Sequence, residues 1–295
     1  MPSQKHELAV PFSIPLLGES YVSVGCPIIA ASTGLVLHVS CTVDGGAGPA
    51  DVRIASPRLR KACLRALRAA GVSGLVSFSF PDLPPWAVQD ADMLATAASL
   101  YLAGPDAMES LAPSLLKGAD DRAFIDLVRA MTSLSGGFVA GRRGEGVVSI
   151  EGDIGAALCA DLVRRRLSVR PTIGRFSAAH PDLAEPFWHI LGHLVLQGVD
   201  AIRAGDAPLL GRLMTLESRL SLVVGLTEER ELLHLSRSLP SLGCKPVRCD
   251  GLSGALHLVG AGMPQPQPRP QPQPRPQSPV RQVLNFNRQG VTPDD

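Results

Sequence analysis

The sequence predicts an α+β fold, on three observations. Apolar runs broken by turn residues fill positions 8–43, apolar residues recur at three- and four-residue spacing from 182 to 239, and a strand-like run, Ala255–Val259, follows those helices. In the first segment three strands fit, around 8–12, 27–31 and 35–43, with Gly18 and Gly25 supplying turns. Ser56 as N-cap, Pro57 at the first helical position and Gly71 as the stop then mark a helix. Its apolar face is Leu59, Cys63, Ala66, Leu67 and Ala70, and its basic residues, Arg58, Arg60, Lys61, Arg65 and Arg68, form a solvated face.

A strand-like run, Leu75–Phe80, leads through PPWAVQDADML into a helix over Met93–Ala103. A strand, a loop and a helix N-terminus in this order often hold a phosphate, because free backbone N–H groups and the helix dipole attract anions. Such loops use glycine so that the backbone can approach the ligand. This one has none, and it carries Asp90 and Asp92. Asp90 is placed to cap the helix beginning near Ala91, and Asp92 adds charge to its first turn.

Short helices are expected over Pro105–Leu116 and Ala119–Val128, and a hairpin joins Phe138–Ala140 to Val147–Ile150 through GRRGEG. Residues 157–166 read as a helix or long turn and Leu167–Thr172 as a strand. Helices follow over Pro186–Ala204, Asp206–Val223 and Glu228–Leu239, the last with Thr227 as its cap. From Pro264, proline at nearly every second position excludes helix and sheet ladders and favours extended chain. Residues 264–295 are therefore expected to be disordered and outside the core, as a spacer or as a docking segment for a protein partner.

Composition excludes several function classes. The 295 residues carry a net charge of +1 and 4% aromatic residues, which gives no case for nucleic-acid or membrane binding. A mean hydropathy of +0.16 fits a globular chain, and no apolar run approaches the length of a membrane span. The N-terminus lacks the basic and apolar regions of a secretory signal. The six cysteines are scattered without a CxxC pair and read as buried thiols in a reducing compartment, so the expected location is cytoplasmic. His189 and His193 lie four apart on one helix, with His180 upstream, but no HExxH glutamate accompanies them, and they read as packed or partly exposed side chains rather than metal ligands.

Four segments, in order and spacing, resemble the GHMP small-molecule kinases, mevalonate kinase most closely: VPFSIPLLGESYVSVGCPIIAAS (10–32), DLPPWAVQDADMLATAASLYLAG (82–104), LVRAMTSLSGGFV (127–139), and GDAPLLGRLM (205–214) with LGCKPVRCDGLSGALHLV (242–259). The resemblance implies a two-domain architecture. A ribosomal-protein-S5-domain-2-like N-terminal domain would span 1–165, a ferredoxin-like C-terminal domain 166–262, and a disordered Pro-rich tail the remainder, 263–295.

The departures from the family fall on its working residues. Trp86, Val88 and Asp90 stand where the phosphate loop has glycines, and Ala91 and Asp92 where it has serines. Arg129 stands at the position of the proton-handling Asp and, being always protonated, is no base. Asp126, one turn earlier, is the nearest substitute. Ser13 stands for the early lysine and Ser20 for a histidine, while Glu19 and Lys245 are retained. The third glycine motif keeps Gly251 and Gly254.

Two functions follow from the resemblance. One is a diverged member that has lost ATP phosphotransfer, a pseudokinase or binding protein needing no cofactor, with a kinase of the same family or a tail-docking protein as partner. The other is an active kinase for mevalonate or a related small alcohol in isoprenoid biosynthesis, using ATP and Mg, with Asp90, Asp92, Glu19 and Asp126 in a rearranged site.

Overall fold

The computed structural model describes residues 4–163, 170–238, 241–249, 252–260, 280–286 and 288–293. In chain order the elements are β1 (Gln4–Leu17), β2 (Ile28–Pro49), β3 (Asp51–Arg53), α1 (Pro57–Ala69), β4 (Ser73–Ser79), α2 (Ala91–Ala103), α3 (Pro105–Lys117), α4 (Asp121–Ser135), β5 (Phe138–Arg142), β6 (Gly146–Ile150), β7 (Ala156–Val163), α5 (Arg170–Ala179), α6 (Pro181–Arg203), α7 (Ala207–Val223), α8 (Glu229–Ser238), β8 (Gly243–Cys249), β9 (Leu252–Gly260), β10 (Val280–Asn285) and β11 (Thr292–Pro293). Short 3-10 helices cover Glu19–Val24 and Pro85–Asp90.

The chain divides into two discontinuous units. One contains Met1–Ile14, Ala30–Ser149 and Asn287–Asp295, the other Pro15–Ile29 and Ile150–Phe286. The contiguous boundary expected at 165 is replaced by this interleaving. Strands β1 and β2 each run from one unit into the other, which a partition drawn along the sequence does not express.

The first unit holds a seven-stranded sheet in the order β11-β1-β2-β4-β3, with β5 paired to β2 and β6 to β5. α1 packs on α2 and β3, and α2 on α4. Cys41 and Val43 of β2, Val52 of β3, Val76 of β4 and Cys63 and Leu67 of α1 form one buried cluster. The cap expected at Ser56 is made: its Oγ accepts from the Leu59 N–H at 3.4 Å. The strands expected at 27–31 and 35–43 are a single long strand, β2, because the chain stays extended through Gly34.

The second unit is a four-stranded antiparallel sheet, β10-β7-β9-β8, with helices α5–α8. Residues 156–163 are strand β7, not the helix or long turn expected over 157–166. Their alternation places Leu158 and Ala160 opposite Leu258 and Leu256 of β9. The strand expected at 167–172 falls partly outside the described residues, and Arg170 already begins α5. Helix α8 starts at Glu229, so Thr227 is not its cap, and the Thr227 Oγ1 is buried without a hydrogen-bond partner among the described residues.

The tail expectation divides. Positions 264–279 lie outside the described residues. Beyond them the expectation of a free tail is corrected: Val280–Asn285 pairs with β7, Thr292–Pro293 pairs with β1, and Val291 is buried.

Candidate functional site

In the first unit, Ser13, Asp90 and Arg129, three of the positions singled out by the sequence resemblance, come together. β1 is buried on both faces from Val10 to Leu17, which puts Ser13 inside with no exposure. Helix α4 is capped by Asp120, whose carboxylate accepts from Ala123 N–H at 3.0 Å, and its inward face carries Arg129 at 1% exposure. The Arg129 Nε and Nη2 donate to the Ser13 carbonyl at 3.1 and 2.9 Å, and the Ser13 hydroxyl donates to the Arg129 carbonyl at 2.8 Å. Nη1 donates to Asp90 Oδ1 at 2.5 Å. The guanidinium lies over the Phe12 ring, 5.3 Å from its centroid, and Asp126 Oδ1 stands 3.8 Å from Nη1.

Asp90 therefore does not cap α2, as the sequence led us to expect. Its backbone is helical, its side chain makes no capping bond, and a buried cation offers the carboxylate a stronger partner than an amide does. The loop ahead of it is closed by its own turns. Pro85–Asp90 is a 3-10 helix entered by the bond from Ala87 N–H to the Pro84 carbonyl at 2.9 Å, and it runs directly into α2 at Ala91. Its i→i+3 bonds engage backbone N–H groups of the loop itself. Trp86 lies within this 3-10 helix, and the Val88 side chain is exposed on it.

Asp92 is also committed. Its two carboxylate oxygens accept from Ala55 N–H at 3.1 Å and Ser56 N–H at 2.6 Å, tying the first turn of α2 to the entry of α1. Asp90 pairs with Arg129 through Oδ1, and its Oδ2 is buried without a hydrogen-bond partner among the described residues, while Asp92 accepts one backbone donor on each oxygen. Among the described residues, no cluster of histidine, cysteine or acidic side chains is arranged to hold a metal. His189 and His193 accordingly make local contacts, with Glu185 at 3.7 Å and Gln197 at 3.3 Å.

The second unit holds a second buried charge cluster, around the retained Glu19 and Lys245. Helix α7 approaches β8 very closely: a Cβ on Gly243 would lie 1.8 Å from the Gly211 carbonyl oxygen. That approach places Glu217 of α7 beside Lys245 of β8. The Lys245 ammonium donates to Glu19 Oε2 at 2.7 Å and to Glu217 Oε2 at 2.9 Å, and Glu217 Oε1 accepts from Gly18 N–H at 3.0 Å. All three side chains are at most 4% exposed. Burial pushes the Glu217 carboxyl up to about 7 against the pull of Lys245. The two carboxylates raise Lys245 above its ordinary value although burial opposes them. Beside the cluster, Tyr21 and Ser221 share a 2.6 Å hydrogen bond between their hydroxyls.

Sequence reasoning identified Glu19 and Lys245 but not Glu217. The signal was present: Leu210, Leu213, Met214, Glu217 and Ser221 fall on one buried helical stripe, and a glutamate within it requires a buried partner. Ser20 is buried next to Glu19. Gly254 lies on β9, opposite Leu162 and Val247, and Gly251 is outside the described residues.

No protein-family model matches the sequence, and no curated protein sequence matches it. Solved structures do. L. major mevalonate kinase in complex with R-mevalonate is similar at 18% identity and a TM-score of 0.58, covering 88% of each chain. Mevalonate diphosphate decarboxylase from Staphylococcus aureus is similar at 12% identity and a TM-score of 0.60, covering 100% of this chain and 99% of the other. The fold is that of the GHMP kinases. MDDEF in complex with MVAPP, AMPPCP and magnesium shares this GHMP fold over the whole of both chains, at 12% identity and a TM-score of 0.58. Among the described residues, no helix is long and apolar enough to cross a membrane.

Proposed function

We propose that this chain is a GHMP-fold protein that has lost ATP phosphotransfer and acts as a pseudokinase or binding protein. The observation that carries this reading is the network of Ser13, Asp90 and Arg129. Phosphoryl transfer requires free donors around the phosphates, a metal or cation on their oxygens, and a group that handles the alcohol proton. Arg129 supplies no base, Asp90 brings negative charge to the loop, and the two neutralise each other. The 3-10 turn over Pro85–Asp90 adds to this by engaging the loop's own N–H groups.

Under this reading the chain works by binding, with a small alcohol, a kinase of the same fold or a protein docking on the C-terminal segment as partner. A second reading, an active kinase for mevalonate or a related alcohol, draws on the AMPPCP and magnesium complex of a protein with the same fold and on Asp126, which is 20% exposed beside Arg129. Thermal unfolding of the full chain with Mg-ATP, with and without mevalonate, separates the two. A ligand that binds only the folded state raises the melting temperature by mass action. We expect no shift at millimolar Mg-ATP. A clear ATP-dependent rise would overturn the pseudokinase reading.

A further inference from the structure

The seven-stranded sheet of the first unit ends at β3. Among the described residues this short strand pairs only with β4, through Asp51 opposite Leu75, Val52 opposite Val76 and Arg53 opposite Ser77, and its other edge carries no strand. Beside that edge lies an open cavity of about 660 Å³, with Ile54 and Leu75 among its apolar walls and Asp51, Arg53 and Arg60 as its charged groups. Helix α1 packs on the same strand and brings charge of one sign. It holds Arg58, Arg60, Lys61, Arg65 and Arg68 and no acidic residue, in a chain whose net charge is only +1. Lys61 and Arg68 are exposed.

The edge already displays the chemistry it binds. The Val52 N–H donates to Asp51 Oδ1 at 2.8 Å, and Arg60 Nη2 donates to the same oxygen at 2.6 Å. Arg60, the Val52 amide and the nearby Arg53 charge together hold the Asp51 carboxyl below its ordinary range. A carboxylate is therefore the group that this combination of edge amide and guanidinium accepts. The hold on it is weak. Asp51 and Arg60 are 56% and 49% exposed, and an ion pair that exposed shifts an equilibrium by a factor of no more than about 5. A second carboxylate can take the place of Asp51, and the release of Asp51 frees the Val52 N–H for a backbone carbonyl.

We propose that the β3 edge is a docking site for an extended acidic peptide segment of another protein. The segment adds beside β3 as a further strand, its carboxylates meet Arg53 and Arg60 in place of Asp51, and an apolar side chain between them meets Ile54 and Leu75. Strand addition selects a polypeptide, because a nucleic acid or a lipid surface offers phosphates but no alternating N–H and C=O groups to pair with an edge. In the absence of the segment, Asp51 covers the edge and keeps copies of the chain from pairing there.

The test uses the full-length protein and a short, end-capped, fluorescein-labelled peptide that alternates glutamate and valine, with binding followed by fluorescence anisotropy. We expect the peptide to bind, and its lysine–valine and backbone N-methylated counterparts to bind at least about tenfold more weakly. Asp51→Ala should tighten binding by up to about fivefold, the weight of the exposed ion pair that no longer competes. Arg53→Glu combined with Arg60→Glu should weaken it at least about tenfold. Both changes fall on exposed side chains, and circular dichroism and melting temperature establish that the variants fold. No binding to either the unsubstituted protein or Asp51→Ala overturns the proposal. Unchanged affinity in the double variant removes the charge from it, and unchanged affinity of the N-methylated peptide removes the strand; either result overturns it. Oligothymidylate or phosphatidylserine vesicles that bind more tightly than the peptide, and lose binding in the double variant, would assign the patch to a phosphate surface instead and also overturn it.

Discussion

Arg129 and Asp90, 39 positions apart in sequence, meet as a buried ion pair at 2.5 Å, with exposures of 1% and 4%. The pair joins α4 to the start of α2, and Ser13 of β1 completes it through the two bonds to its carbonyl. Three residues that look independent along the sequence therefore form one structural unit. A cation at 129 calls for an anion at 90, and the short Ser13 side chain leaves its carbonyl open to the guanidinium.

Removing one partner of such a pair leaves a buried charge uncompensated. Asp90→Ala should lower unfolding stability by roughly 3–5 kcal/mol. Asp90→Ala combined with Arg129→Leu should cost less than the sum of the single changes, with a coupling of at least about 1 kcal/mol. Urea denaturation of the four proteins measures this, and simple additivity would show that the pair contributes nothing as a pair.

Asp92→Ala should act locally. It strips the acceptors from Ala55 and Ser56 N–H, at a cost of about 1–3 kcal/mol. Hydrogen exchange should speed up at 55–59, ahead of and within the first turn of α1. If Asp92 served a ligand instead, those amides would keep their protection.

The second cluster gives stability a pH dependence of defined sign. Glu217 titrates at about 7 in the folded chain against an ordinary 4.5, so between these values the folded state holds the proton more tightly than the unfolded state. Stability from this group is fully present below its unfolded value and falls as pH rises through about 7. Lys245, raised above 10.5, keeps its contribution across that window and loses it only in stronger alkali. Glu217→Gln should flatten the slope between pH 5 and pH 8, improving relative to the unsubstituted protein by up to roughly 3 kcal/mol over that range. Parallel profiles for the two proteins would assign the proton elsewhere.

Two glycines flanking the 3-10 helix at Glu19–Val24 should respond differently to the same change. Gly18 and Gly25 both have left-handed backbones, φ 85° and 84°. A Cβ at Gly18 would lie 2.0 Å from the Pro27 carbonyl oxygen, whereas at Gly25 it meets nothing within 4 Å. Gly25→Ala should cost about 1–2 kcal/mol from backbone strain alone. Gly18→Ala should cost more than about 3 kcal/mol, because the added methyl forces apart the backbone whose N–H holds Glu217. Equal melting temperatures for the two variants would contradict this geometry.

The sequence by itself determined the α+β class, the helix from Pro57 with its Ser56 cap, the turns at Gly18 and Gly25, and the resemblance that the solved structures bear out as a shared fold. These are readable because periodicity, capping and left-handed glycine are local properties, set within a few residues. The resemblance also singled out positions such as Ser13, Asp90 and Arg129. Only the tertiary structure decided where those side chains go. Asp90 could be read as a helix cap until a guanidinium from 39 residues away proved the better partner. Glu217 looked like one more helix residue until the Gly211–Gly243 approach set it on Lys245. Strand β10 was invisible in a Pro-rich tail, because its pairing is supplied by β7, more than a hundred residues earlier in the chain. Buried charges and edge strands are completed by distant partners, and a local pattern carries no record of which partner the fold will bring.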